Sequence, residues 1–219
     1  MSELADVAAL LADRTRARIL EELLGGVALP AGALAARVGV APSTVSGHLA
    51  KLSSAGLIVV RSNGRRREAS LARPEVAEAL EALGRLSPGD SRPIGLRAVN
   101  GKLALREARS CYDHLAGRAG VRLAEVLVAR EALKLQDGAL LVHDPSYFLD
   151  AFGIDVSDVG GRRPLVRTCT DWTERRPHLA GALGAAVLDA WLSRGWVRRR
   201  PDGRALNLSP DGAAFLEAG

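Results

Sequence analysis

Apolar side chains recur at the spacing of helices through the first quarter of the chain. A short helix is predicted over residues 4–11, and Asp13 is the expected N-cap of a second, which Gly25 and Gly26 end. Beyond Pro30, Gly39 separates two further apolar stripes and is expected to take a positive φ. The second of these helices is predicted to start near Pro42 and Ser43. The predicted buried stripes are formed by Ile19, Leu20, Leu23 and Leu24, then Leu34, Ala35 and Val38, then Val45, Leu49 and Leu52.

After these helices, apolar and polar residues alternate at the spacing of β-strands. Residues 57–61 alternate as a strand, Asn63-Gly64 is a strong hairpin turn, and residues 68–71 return. Two short helices joined at a glycine and followed by a hairpin predict a winged helix-turn-helix. That motif lays its second helix in the major groove of DNA and its hairpin on the phosphates.

The C-terminal half contains two stretches that resemble each other. Both have Cys-x-Asp, then His-Leu-Ala-Gly-x-x-Gly, then Leu-x-x-Asp-x-x-x-Phe-Leu, in the same order. Each is predicted to form a helix, a hairpin around a glycine, and a short helix capped by Asp144 or Asp211. The predicted fold is therefore mainly α with small β-hairpins (α+β). It comprises a winged helix-turn-helix domain at 1–86 and a domain at 96–219 of duplicated, winged-helix-like units at 100–155 and 165–219, with a linker at 87–93.

Length and composition narrow the class of protein. The 219 residues can bury a core in each of two small domains. No apolar run is long enough for a membrane span, and the N-terminus lacks the pattern of a secretory signal, so a cytoplasmic protein without a membrane partner is expected. Cys111 and Cys169 are the only cysteines, and reduced thiols are their simplest state there.

Positive charge is concentrated in the predicted DNA-binding motif. The net charge is +5, yet residues 37–73 alone carry seven basic side chains and one acid, a net +6, which leaves −1 for everything else. Such a cluster is typical of phosphate binding. The residues expected to contact double-stranded DNA lie on the second helix and the hairpin tip: Ser43, Thr44, Ser46, His48, Lys51, Arg65, Arg66 and Arg67. For His48, local packing is as plausible as a DNA contact.

Residues 8–73 resemble the ArsR/SmtB-type winged-helix repressors of bacteria. The resemblance is carried by Thr-Val-Ser-x-His-Leu in the second helix, Ala-Gly-Leu-Ile after it, and Gly-Arg-Arg-Arg in the hairpin. It implies a homodimer that represses transcription from a near-palindromic operator and is released by an effector. Two departures stand out: Arg14 replaces the usual proline, and residues 29–32 lack the Cys-x-Cys pair of the metal-sensing members. The resemblance ends near residue 85.

The effector is expected to bind in the C-terminal half. An organic ligand is favoured, with Tyr112 and Trp172 as pocket walls because aromatic residues are only 4% of the chain. The alternative is a metal, metalloid or thiol-redox signal at two thiols and two imidazoles, with Cys111 and His114 on one helix face. A purely structural role, in which the His-Leu-Ala-Gly motif packs a helix closely, remains the third possibility. The candidate effector-binding residues are Cys111, Tyr112, His114, Cys169, Asp171, Trp172 and His178.

An enzyme is not expected. Cys111 and His114 suggest a thiolate nucleophile, but no glycine-rich nucleophile turn or phosphate loop accompanies them. The sequence requires no cofactor and leaves a small-molecule or metal effector as the open choice. The expected function is that of a ligand-responsive transcriptional repressor.

Overall fold

The computed structural model describes residues 3–64, 66–86, 96–161, 163–201 and 203–218. The chain divides into two compact units, Met1–Leu83 and Gly84–Gly219. Arg65, Asp202 and the predicted linker at 87–93 lie outside the described residues. In the part of the chain that is described, no helix is both long and apolar enough to cross a membrane.

The first unit is a three-stranded sheet packed on helices. Its sheet has the order β1 (Leu29–Pro30), β3 (Arg66–Leu71), β2 (Ile58–Asn63), with all neighbours antiparallel. The elements are α1 (Glu3–Leu11), α2 (Arg14–Leu23), β1 (Leu29–Pro30), α3 (Ala31–Val38), α4 (Pro42–Ser54), β2 (Ile58–Asn63), β3 (Arg66–Leu71) and α5 (Pro74–Leu86), which continues into the second unit.

The local signals of the first unit are largely confirmed. Asp13 caps α2 by accepting a hydrogen bond from the Arg16 amide, and Gly39 ends α3 with a φ of 79°. All three predicted apolar stripes are buried. The N-cap of α4 is Ala41, which makes no side-chain capping bond, and the β2–β3 hairpin is longer than expected. Asn63 pairs with Arg66, so Asn63 belongs to β2 rather than to the turn.

In the second unit, the same succession of elements occurs twice: a hairpin, a helix, a second hairpin and a second helix. After α6 (Leu96–Glu107), the first set is β4 (Arg109–Cys111), β5 (His114–Ala116), α7 (Gly117–Ala129), β6 (Leu133–Gln136), β7 (Ala139–Val142) and α8 (Pro145–Phe152). The second is β8 (Arg167–Thr170), β9 (Pro177–Ala180), α9 (Gly181–Ser193), β10 (Val197–Arg199), β11 (Leu206–Leu208) and α10 (Pro210–Glu217). A mixed fold of helices and small antiparallel hairpins is thus confirmed, while duplication of the sequence stays a prediction.

Two sequence expectations for this unit are wrong. Cys111 and His114 do not share a helix face, because β4 and β5 form a hairpin whose turn begins at Tyr112 with a φ of 60°. A helix cannot continue through that left-handed conformation. Asp144 does cap α8, but Ser209 rather than Asp211 caps α10.

Each helix that follows a cysteine hairpin packs on the hairpin of the other set: α7 contacts β9, and α9 contacts β5. The His-Leu-Ala-Gly-x-x-Gly motif packs each of these helices closely on its own hairpin. Its first glycine, Gly117 or Gly181, leaves the strand with a φ of 77° or 86°. Its second brings the helix against backbone, since a Cβ on Gly120 would lie 2.3 Å from the Leu115 carbonyl oxygen and one on Gly184 2.8 Å from that of Leu179.

A single apolar core, which includes the fully buried Phe148 and Trp191, fills the space between the elements of this unit.

Candidate functional site

Helix α4 separates a buried face from an exposed polar one. Val45, Leu49 and Leu52 point into the core of the first unit. The side chains on the opposite face are small hydroxyls and one cation, and all are exposed: Ser43, Thr44, Ser46 and Lys51. Short polar side chains on an exposed helix of this kind suit contact with base edges and phosphates in a major groove.

His48 lies differently from its neighbours on α4. Its side chain is only 16% exposed, and its Nδ1 atom is 4.0 Å from Oδ1 of Asp13, the N-cap of α2. The ring therefore lies mainly against α2, which leaves a small edge for DNA.

The hairpin beside α4 carries the predicted basic tip. Arg66 and Arg67 are exposed at the start of β3, and Arg61 is exposed on β2. Glu68 is engaged by the Asn63 side-chain amide at 3.2 Å. The exposed arginines that the structure describes on this hairpin are accessible to a polyanion.

In the second unit, each cysteine faces a histidine across a hairpin. Cys111 is the antiparallel partner of His114, and Cys169 is the partner of His178. Residues directly opposite each other in an antiparallel pair project to the same face. Each hairpin therefore presents one thiol and one imidazole on one face, although the two loops differ in length.

The two pairs converge on one point. Strands β5 and β9 are in contact, and the ring centroids of His114 and His178 are 5.1 Å apart. One ligand atom from each of Cys111, His114, Cys169 and His178 lies within 4.8 Å of all the others. In the following, the Cys/His cluster means these four residues.

The Cys/His cluster is largely shielded from water. His178 is fully buried, His114 is 7% exposed and Cys111 is 3% exposed, whereas Cys169 is partly exposed. Nε2 of His114 and both ring nitrogens of His178 are buried without a hydrogen-bond partner in the described structure. Buried polar atoms are nearly always satisfied, so three orphaned imidazole nitrogens in one cluster indicate a missing partner.

Asp113 and Arg163 adjoin this cluster. Oδ1 of Asp113 lies 3.3 Å from Nδ1 of His114, and Oδ2 accepts a hydrogen bond from Nη1 of Arg163. Burial acts to lower the pKa of His114, but its interactions with the Asp113 carboxylate and the Cys169 sulfur raise it above the ordinary value. Burial likewise acts to raise the pKa of Asp113, and its bonds to His114 and Arg163 lower it.

Cys169 has the character of a thiolate. Its interaction with Cys111 lowers the pKa of the thiol, and those with His114 and His178 add to this against the opposing effect of burial. A thiolate is the form of cysteine that binds metals and reacts with oxidants.

Asp171, another candidate effector residue, is fully buried and engaged elsewhere. Oδ2 accepts from Arg109 and from the Gly117 amide, both at 2.7 Å, while Oδ1 accepts from Thr173 and Glu174. Burial acts to raise the pKa of Asp171, but the charge of Arg109 and these hydrogen bonds hold it well below 3.8. Its carboxylate ties the start of the first hairpin to the loop of the second, and no acceptor site is left for an effector.

The two aromatic candidates lie in the loops of the two cysteine hairpins. The Arg109 guanidinium stacks 5.1 Å from the Trp172 ring, and Tyr112 occupies the turn of the first hairpin. Arg109 and Arg163 were missed by sequence reasoning, because arginines are mostly exposed and nothing near either residue signals burial or a partner. Asp113, by contrast, lies inside the repeated Cys-x-Asp motif that the sequence pattern singled out.

The fold of the first unit and its polar, arginine-flanked helix define a winged helix-turn-helix protein. A family model described as a helix-turn-helix domain matches residues 11–61. The chain is 38% identical over 216 residues to YdfF of Bacillus subtilis, named an uncharacterized HTH-type transcriptional regulator, with 98% of this chain and 95% of that one covered. It is 46% identical over 82 residues to the HTH-type transcriptional regulator CmtR of Mycobacterium tuberculosis, which covers 37% of this chain and 69% of that one.

Among solved structures, a homodimeric winged helix-turn-helix domain from Mycobacterium bovis, described as a possible ArsR-family regulator, is 28% identical. The match covers 41% of this chain and 82% of the Mycobacterium bovis chain, with a TM-score of 0.38. The chain belongs to the ArsR/SmtB-type winged helix-turn-helix transcriptional regulators. It is a transcriptional regulator with a helix-turn-helix DNA-binding domain and not an enzyme.

Proposed function

We propose that this regulator is a metal-responsive repressor whose second unit binds one divalent metal ion through the Cys/His cluster. The observation that carries the proposal is the convergence of Cys111, His114, Cys169 and His178 from two separate hairpins to within 4.8 Å. Two thiols and two imidazoles are a common ligand set of tetrahedral zinc sites.

The dimensions of the cluster suit a single ion. At bond lengths of about 2.3 Å to sulfur and 2.0 Å to nitrogen, the ligand atoms of a tetrahedral site are about 3.3–3.8 Å apart. The cluster therefore needs to contract by about 1 Å, within reach of small side-chain rotations. Soft and borderline ions such as Zn²⁺, Cd²⁺ and Co²⁺ prefer this mixture of sulfur and nitrogen.

The histidine nitrogens without hydrogen-bond partners give further support for a metal ion in the Cys/His cluster. Nε2 of His114 and the ring nitrogens of His178 are buried without hydrogen-bond partners, and a metal would give one nitrogen of each ring its partner. Two thiolates would neutralise the charge of a divalent ion. The organic effector favoured by sequence stays a prediction, but four groups this close together leave space for one atom rather than for a molecule.

DNA would be bound through α4 and the β2–β3 hairpin. Ser43, Thr44, Ser46 and Lys51 are proposed to enter the major groove, with Arg66 and Arg67 on phosphates and Arg65 as a further phosphate contact. His48 would contribute only the edge that Asp13 leaves uncovered.

A homodimer on a near-palindromic operator is part of the proposal. Leucine side chains on α1 and α5 are strongly exposed, with Leu4 at 78% and Leu86 at 80%. Exposed apolar side chains on helices of a small protein favour burial against a second copy. Two copies would place two α4 helices on successive half-sites, and metal and operator would affect each other's affinity reciprocally.

The test uses reduced, metal-free protein and Co²⁺ as a spectroscopic probe. We expect one Co²⁺ per chain, with sulfur-to-cobalt charge transfer and the intense visible bands of tetrahedral coordination, and displacement by Zn²⁺. His178→Ala removes one ligand, so its affinity should fall by at least about 100-fold. His143→Ala is the matched control, because His143 is exposed and outside the cluster.

Regulation is tested on DNA that the protein selects from a random-sequence pool. Zn²⁺ should weaken binding of that DNA by the wild type and by His143→Ala, and should leave His178→Ala unaffected. Absence of Co²⁺ binding, or equal binding by His178→Ala and the wild type, would refute the metal site. Zn²⁺ that binds without any effect on DNA affinity would refute the regulatory role alone.

A second candidate function is thiol-redox sensing, favoured by the presence of both cysteines, neither of them in a disulfide, in the same cluster. A hydroperoxide would take two electrons and two protons from the thiols of Cys111 and Cys169, leaving a disulfide and, from hydrogen peroxide, two molecules of water. Mass spectrometry under non-reducing conditions would show the loss of two hydrogen atoms. Oxidised protein with unchanged DNA affinity would argue against this alternative.

A further inference from the structure

The two histidines of the Cys/His cluster are held differently. Nδ1 of His114 lies 3.3 Å from the Asp113 carboxylate, whereas its Nε2 has no partner in the described structure. For His178, neither ring nitrogen has one. The two hairpins are therefore similar in structure but differ in the surroundings of their histidine side chains.

A carboxylate decides which nitrogen of a neutral imidazole carries the proton. An ionised carboxylate only accepts hydrogen bonds, and a neutral imidazole has one donor and one acceptor nitrogen. Asp113 therefore places the proton on Nδ1 of His114. The lone pair is left on Nε2, the buried nitrogen that lacks a partner.

Asp113 is itself held in place from the far side. Its second oxygen accepts a hydrogen bond from Nη1 of Arg163, which lies in the segment that precedes β8. Because a guanidinium only donates, Arg163 keeps an oxygen atom turned towards itself. The carboxylate is thus fixed between an arginine and an imidazole.

The second hairpin has no equivalent arrangement in its described residues. Asp171 follows Cys169 at the same spacing as Asp113 follows Cys111. Its oxygens bind Arg109, the Gly117 amide and the loop residues Thr173 and Glu174, so the carboxylate is turned away from His178.

We propose that Asp113 is a positioning residue that makes Nε2 of His114 the metal-binding atom, and that Arg163 holds Asp113 in that role. The inference rests on the proposed metal site. A carboxylate behind a ligating imidazole fixes its ring and raises its basicity, and loss of such a partner costs about 10–100-fold in metal affinity. His114 is then the better-oriented imidazole of the two.

The decisive variant is Asp113→Asn. Arg163 can only donate, so the new amide turns its oxygen to Arg163 and its NH₂ group to His114. Nδ1 must then accept, and the proton moves to Nε2. Asp137→Asn is the matched control, since Asp137 is an exposed aspartate in the turn of the β6–β7 hairpin.

The first readout is the tautomer in metal-free protein, from long-range ¹H–¹⁵N spectra of ¹⁵N-histidine-labelled samples at alkaline pH. Resonances are assigned by comparison with His114→Ala. We expect the Nδ1–H tautomer at His114 in the wild type and in Asp137→Asn, and the Nε2–H tautomer in Asp113→Asn. The second readout is Zn²⁺ affinity, which should fall about 10–100-fold in Asp113→Asn and stay unchanged in Asp137→Asn.

These outcomes separate the inference from the proposed function. An Nε2–H tautomer of His114 in the wild type overturns the inference even when Zn²⁺ binds. This measurement is made on the wild type, so it does not depend on the folding of any variant. Wild-type affinity in Asp113→Asn also overturns it. A wild type that binds no Zn²⁺ refutes the metal site, whatever the tautomer.

Discussion

Cys169 lies directly opposite His178 in the β8–β9 hairpin, although the two residues are nine positions apart in the chain. Cys111 lies opposite His114 in the β4–β5 hairpin at a separation of three. The same cross-strand geometry arises at both places because the second hairpin has the longer loop. Linear spacing therefore conceals that the two pairs are equivalent.

Acid should weaken metal binding from a pH above that expected for an ordinary histidine. Burial acts to lower the pKa of His114, but its interactions with Asp113 and Cys169 raise it above 6.5, and a bound metal must displace that proton. As pH falls, protonated His114 competes with the metal, so the decline in Co²⁺ affinity should begin above pH 6.5. Co²⁺ titrations between pH 8.5 and 5.5 measure this. Constant affinity down to pH 6.5 would contradict the prediction.

Asp171→Asn should destabilise the protein strongly. It leaves the fully buried Arg109 without its counter-charge, a change that costs about 3–5 kcal/mol in buried pairs. Urea unfolding measures the change in free energy, and Asp150→Asn at an exposed position of α8 should alter it by less than about 0.5 kcal/mol. The folded-state pKa of Asp171 lies below 3.8, so its contribution is present above that pH and is lost as pH falls through the folded value. Equal stabilities of the two variants would exclude a structural role for this pair.

Gly184→Ala should damage both the packing of α9 and the Cys/His cluster. The added methyl would lie 2.8 Å from the Leu179 carbonyl oxygen and 3.3 Å from Cβ of His114. Overpacking of this kind costs about 1–3 kcal/mol, and displacement of His114 should lower Co²⁺ affinity as well. Gly32→Ala in α3 is the control, because a Cβ there meets nothing within 4 Å. Its stability should stay equal or rise by up to about 1 kcal/mol. A fully stable Gly184→Ala protein would show that the helix can shift without cost.

Arg66→Ala should weaken binding to all DNA sequences by a similar factor. Arg66 is exposed on the β2–β3 hairpin, where it is proposed to neutralise a phosphate. The slope of log affinity against log salt should become shallower by about 0.9 for one lost contact. Fluorescence anisotropy over a series of salt concentrations measures it. Arg118→Ala, an exposed arginine paired with Glu107 in the second unit, should leave the slope unchanged. A loss confined to one DNA sequence would instead indicate base readout.

The winged helix-turn-helix could be derived from the sequence because its signals are local. The cap at Asp13, the turn at Gly39 and the apolar stripe of α4 each act within a few residues, and the structure confirms all three. The glycines of the His-Leu-Ala-Gly-x-x-Gly motif also act locally, and they pack closely in both copies, although the sequence offered such packing only as one of several possibilities.

The repeated motif in the sequence indicated the four residues of the Cys/His cluster, but only the tertiary structure determined their geometry. A helix was expected at Cys111, whereas the left-handed turn at Tyr112 makes a hairpin. The partners of Asp171 and Asp113 were equally hidden, because Arg109 is 62 residues from Asp171 and Arg163 is 50 residues from Asp113. Local propensities specify turns and helix ends, whereas the meeting of side chains from distant hairpins depends on how α7 and α9 pack across one core.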